Sequence, residues 1–118
     1  MSSDTMAIFL DELAKIEIRL APVIAESVAY YEELLPHLVM GDVVRWMVAH
    51  SESDLESCVG LLNFMEYQVV NGADDVQELI VVSGVENIPD PGDAGADLRK
   101  YLGPVLRSYD PWNFSTPT

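Results

Sequence analysis

Residues 54–70 constrain the fold most. Leu55, Val59, Leu62, Glu66 and Val69 recur on one face of a helix, while Cys58, Leu61, Phe64 and Met65 occupy the neighbouring faces. A helix that is apolar nearly all round must be covered on most sides, so this segment is expected at the centre of a helical bundle. Ser53 with Glu56 three residues on has the form of a capping box at its start. Asn71-Gly72 supplies residue types that tolerate a left-handed stop at its end.

The remaining chain offers elements to surround it. Residues 4–20 carry an amphipathic stripe of Met6, Phe9, Leu10, Leu13, Ile16 and Leu20, with Asp4 as the expected N-cap. Ala21-Pro22 interrupts that pattern, and a second helix is expected over 22–35 with Ile24, Val28, Tyr31 and Leu35 inward. Pro36 is read as its stop and His37 to Gly41 as a turn. Asp42 then caps a short helix through His50 that buries Val43, Trp46 and Met47.

Residues 74–87 admit two readings. Val76, Leu79, Ile80 and Ser83 fit a helix, whereas the run Leu79-Ile80-Val81-Val82 has strand composition. Helix is preferred, because no second convincing strand exists to pair with it. Residues 88–95 form a Pro/Gly/Asp loop, and 96–109 a last helix kinked at Pro104. Residues 110–118, holding Trp112 and Phe114, form an irregular tail. The expected fold is all-α, one domain over 1–118: a compact bundle of about six helices arranged as stacked antiparallel hairpins.

Charge narrows the partners. Twenty acidic residues against 6 basic ones give a net charge of −14, with 49% hydrophobic residues and a mean hydropathy of +0.14. That hydrophobicity argues against disorder. Nucleic acids and anionic membrane surfaces are disfavoured ligands, since both are polyanions that need Lys and Arg. The acids are spread over the chain, 11 with 3 bases in residues 1–59 and 9 with 3 bases in residues 60–118. A basic protein is the partner this charge favours.

Met1-Ser2-Ser3-Asp4-Thr5 lacks the basic start and apolar core of a signal peptide, and no run approaches about 18 apolar residues. Cys58 is the single cysteine. A cytoplasmic protein without disulfides is therefore expected.

Local catalytic chemistry is sparse. His37 and His50 stand outside any zinc spacing, and Cys58 lies in the most apolar helix, where burial raises a thiol pKa. Val81 and Val85 occupy the positions where a nucleophile elbow at Ser83 would need glycine. Asp90, Asp93 and Asp97 lack the alternate-residue spacing of a calcium loop, and no glycine is followed by lysine at phosphate-loop spacing. No cofactor, metal or catalytic residue is expected.

The most residue-specific stretch runs from Glu32 to Trp46 and holds Glu33, Pro36, His37, Gly41, Asp42 and Arg45. Two readings stand side by side. In one, Pro36 and Gly41 shape a turn, Asp42 caps, Arg45 pairs with it and Trp46 fills the core. In the other, Glu32, Glu33, His37, Asp42, Arg45 and Trp46 form a partner-binding surface anchored by Arg45 and Trp46, residue types enriched in interface hot spots.

The motifs Leu35-Pro36-His37-Leu38, Gly41-Asp42 and Arg45-Trp46, with the segments Val76 to Pro89 (holding Val82-Ser83-Gly84-Val85-Glu86-Asn87-Ile88-Pro89) and Leu102-Gly103-Pro104-Val105-Leu106-Arg107, resemble a family of small, uncharacterised, mostly bacterial proteins. The resemblance covers residues 30 to 107, and Gly84 departs from it where a bulky residue is expected. It implies an all-helical fold and no established catalysis. By analogy with small families of this kind, the expected function is an acidic protein-binding domain, an immunity-type inhibitor of a basic bacterial toxin. Two alternatives are a small enzyme or ligand-binding domain using His37, Asp42 and Arg45, and a self-associating homo-oligomer.

Overall fold

The computed structural model describes residues 2–112. Six α-helices follow in chain order: α1 (Ser2–Ile16), α2 (Leu20–Tyr31), α3 (Pro36–His50), α4 (Leu55–Asn71), α5 (Asp74–Leu79) and α6 (Pro104–Ser108). Between α5 and α6 lie a π-helical turn (Ile80–Gly84) and two 3-10 helices (Val85–Asn87 and Ala96–Tyr101). Among the described residues there is no strand, so the chain is an all-α bundle. Successive helices pack side by side, α1 on α2, α2 on α3, α3 on α4 and α4 on α5.

The central role is shared between α4 and α3. From α4 the core receives Cys58, Leu61, Leu62, Met65 and Val69, and Phe64 stacks on Phe9 of α1 with ring centroids 5.8 Å apart. α3 buries Val39, Met40, Gly41, Val43, Val44 and Met47. The turn expected at His37 to Gly41 is therefore the first third of a core helix, and Asp42 lies inside that helix and caps nothing.

The reason is the direction in which proline acts. Pro36 sits in the first turn of α3, where its missing N–H has no partner to lose, and the preceding Leu35 is held extended at φ −114 and ψ 91. α2 has already ended at Tyr31, with Glu32 left-handed at φ 59. The same logic shifts the first break. α1 starts at Ser2 and ends at Ile16, so Asp4 falls in its first turn, while Pro22 falls in the first turn of α2. The chain breaks at 17–19 and not at Ala21-Pro22.

Other ends are fixed by side chains. The cap of α4 is Asp54, which accepts from the Ser57 N–H (3.3 Å) and the Ser57 hydroxyl (2.8 Å), in place of the Ser53/Glu56 box. The last helix expected over 96–109 is two elements, because the residue before a proline is driven out of the helical region. Leu102 and Gly103 are extended, and Pro104 starts α6 afresh. That new start leaves N–H groups of α6 unpaired, and the Glu66 carboxylate from α4 accepts from those of Val105 (3.0 Å) and Leu106 (2.9 Å). A Cβ on Gly103 would fall 2.5 Å from the Glu66 carboxyl carbon, so glycine is what admits this carboxylate.

The loop at 88–95 is held from beneath. Arg99, whose side chain is 12% exposed, donates to the carbonyls of Ile88 (2.8 Å) and Pro89 (2.7 Å) and pairs with Asp110, 4% exposed. Gly95 takes φ 90 against Val48, where a Cβ would meet Cγ1 at 2.6 Å. Trp112 is exposed, and Phe114 with the rest of the expected tail beyond it lies outside the described residues.

Two expectations follow. A Cβ on Gly41 would meet its nearest neighbours at 3.6 to 3.8 Å, ordinary contacts, and its φ is not positive. Gly41→Ala should therefore stabilise the protein by about 0.5–1 kcal/mol in urea unfolding, as in any helix interior; a destabilised variant would return 37–41 to a turn. Glu66→Ala should cost about 1–3 kcal/mol in the same measurement, from the stranded amides of α6. An unchanged midpoint would show that the cap carries no energy.

Candidate functional site

The six residues marked in the sequence do not converge. Glu32 and Glu33 are exposed in the α2–α3 connection. His37 lies in the first turn of α3 and turns to the π-helical turn, its Nδ1 2.6 Å from the hydroxyl of the buried Ser83. Asp42, Arg45 and Trp46, one helical turn on, face α2 instead. Asp42 and Arg45 pair across i, i+3, as the spacing suggested.

There they line an open groove of about 610 Å³. α2 contributes Val23, Glu26, Ser27, Tyr30 and Tyr31 to the opposite wall. Tyr30 and Tyr31 meet edge to face, 4.8 Å between centroids at 89°, and Tyr30 is 79% exposed. Ser27 is only 6% exposed, and its Oγ has no hydrogen-bond partner among the described residues. The reading of 22–35 as a helix with Tyr31 inward missed this wall. Its signal was the Glu26-Ser27…Tyr30-Tyr31 spacing, which places acid, hydroxyl and rings one turn apart.

Trp46 is fixed from beside the groove. His50 stacks on it at 4.1 Å and 21°, with Nδ1 2.8 Å from the Trp46 carbonyl oxygen, and the Arg19 guanidinium lies 4.9 Å from the indole centroid. Arg19 is the hub of this corner. Its Nε and Nη2 donate to the Glu17 carboxylate at 2.8 and 3.0 Å, and Nη2 also reaches Asp54 and the Ser57 hydroxyl (3.2 Å). The α1–α2 turn, the start of α4 and the aromatic face of α3 are joined through one guanidinium. Asp54 and Ser57 lie 35 and 38 residues from Arg19 in the chain, so no local spacing revealed them.

Charge in the site follows from these pairs. Hydrogen bonding from Arg19 holds the Glu17 carboxyl down at about 2, against the opposing push of its burial. Asp54 is held low by the same guanidinium and by Ser57. Away from the groove, burial pushes the Cys58 thiol up to about 11, and it donates to the Met47 carbonyl, a packed and unreactive position. Across the described residues six acids are ion-paired, Asp11, Glu17, Asp42, Asp54, Asp97 and Asp110. That leaves 14 of the 20 without a cation, Glu26 among them. Arg107, the one base outside these pairs, donates to the Lys100 and Leu102 carbonyls.

Among the described residues no group of three or more His, Cys, Asp or Glu is placed to hold a metal, and no helix is long and apolar enough to cross a membrane. The chain belongs to the DUF7674 family, a domain of unknown function. The match spans residues 7–112, which takes in all six helices in whole or part and both walls of the groove. No match was found among curated proteins or among solved structures.

The Arg19 hub carries a pH signature. A carboxylate held below its ordinary value contributes stability that is fully present above about 4.5 and is lost as pH falls toward about 2. Unfolding free energy should therefore drop through that window, and Arg19→Met should flatten the drop while lowering stability at pH 7. Equal slopes for the two proteins between pH 5 and 2 would remove Arg19 as the cause.

Proposed function

We propose that this chain is an acidic protein-binding domain that neutralises a basic partner, in the manner of an immunity protein acting on a bacterial toxin, and that the α2–α3 groove is its contact surface. The observation that carries the reading is the groove itself. On a chain in which five of the six Lys and Arg side chains are ion-paired among the described residues, it presents three aromatic side chains, an unpaired carboxylate and an Asp–Arg pair in one open concavity. Aromatic and arginine side chains are the residue types that dominate binding energy at interfaces.

Physics then assigns roles. The 14 uncompensated carboxylates supply a long-range field that speeds encounter with a positively charged surface and can stand where a nuclease would hold its phosphate backbone. The aromatic groove supplies the short-range anchor that slows dissociation. The enzyme reading loses support from the same geometry, since His37 is turned to Ser83 and lines neither wall of the groove.

The test is to read the neighbouring genes and to co-express this chain with any basic toxin domain that one of them encodes. Protection of growth is expected, with a purified complex whose association rate falls steeply as salt rises from 10 to 150 mM. Tyr30→Ala, at a largely exposed position, should weaken that complex at least tenfold while leaving the thermal midpoint unchanged. No protection, or a neighbourhood without a toxin gene, would overturn the proposal.

A further inference from the structure

We propose that the groove between α2 and α3 receives an arginine side chain of the basic partner, paired with Glu26 and seated against Ser27 and the Tyr30/Tyr31 rings. This rests on the reading of the chain as a binder of basic proteins and names what its groove recognises.

Three independent observations meet in the groove. The first is charge. Of the two carboxylates lining it, Asp42 is committed to Arg45, whereas Glu26 makes no ion pair among the described residues. One negative charge is left for an incoming cation.

The second is an unmet hydrogen bond. Among the described residues the buried Ser27 hydroxyl has no hydrogen-bond partner, an arrangement that costs stability. Glu26 and Ser27 are consecutive residues of α2 that both line the groove, Glu26 exposed at its surface and Ser27 buried at its base.

The third is the aromatic pair. Tyr30 and Tyr31 meet edge to face one turn along from Glu26 and Ser27, both exposed, and the chain already uses a guanidinium against an aromatic ring where Arg19 lies over Trp46. Planar guanidinium stacks on such rings while its N–H fork bridges a carboxylate and a hydroxyl; an ammonium offers one compact charge and no plane. The groove thus favours arginine over lysine. Its volume of about 610 Å³ suits one or two inserted side chains.

The probe is a hexa-arginine peptide titrated into the labelled full chain by nuclear magnetic resonance at low salt, with hexa-lysine as the equal-charge comparison. Arginine should bind at least fivefold tighter, with saturable shifts at Glu26, Ser27, Tyr30, Tyr31 and the Trp46 indole. Glu26→Gln should abolish that preference. Ser27→Ala should weaken hexa-arginine binding two- to fivefold while raising the unfolding midpoint, a combination that a purely structural serine would not give. Equal affinity for the two peptides, or shifts spread over the acidic surface and untouched by Glu26→Gln, would overturn the inference. Toxin protection that survives Glu26→Gln would remove arginine recognition and keep the immunity reading. An arginine preference without any protection would do the reverse.

Discussion

The continuity of α3 from Pro36 is the constraint on which the rest of the structure depends. With a turn at residues 37–41, Val39 and Met40 would leave the core, and α3 would be too short to lie along both α2 and the π-helical turn. Because the proline begins the helix, one face of α3 is buried against α1, α4 and α5 while Asp42, Arg45 and Trp46 are carried to the side that α2 covers only in part. The groove runs along α2 from Val23 to Tyr31, opposite Asp42, Arg45 and Trp46 of α3.

Single polar side chains complete this frame where helices end. Arg19 ties the first break to α4 and to Trp46, Glu66 satisfies the start of α6, and Arg99 holds the 88–95 loop to Asp110. Each reaches across the chain to backbone or charge that secondary structure alone leaves unmet. The buried Arg99–Asp110 pair holds its geometry because the guanidinium also satisfies two loop carbonyls.

The sequence was most legible where one rule acted alone. Apolar periodicity located α4, although Asp54 caps it and Gly72 ends it extended at φ −84 and not left-handed, and the lack of a pairing strand favoured the helical reading of 74–87 that the structure shows despite its β-branched run. It misled where a residue type supports two opposite roles. Pro36 reads equally as a stop or a start, and Asp42 looks like a cap until the helix is known to begin six residues earlier. Of the six site residues named from sequence, Asp42, Arg45 and Trp46 share the groove, whereas His37, although between them and the two glutamates in the chain, points to another neighbour. The α2 wall was hidden because Tyr30 and Ser27 acquire meaning only from what lies opposite.

Net charge, which in the sequence only favoured a basic partner, becomes a statement about pairing once the ion pairs are known: among the described residues five of the six bases are matched to acids, and 14 of the 20 acids have no cation. In the function proposed here, that field brings a cationic protein close and the aromatic groove decides where it stays. The most direct test is hydrogen exchange of the chain in complex with its basic partner. Protection concentrated at residues 23–31 and 42–46 is the predicted footprint; protection centred on α4 and α6, with those segments unchanged, would contradict it.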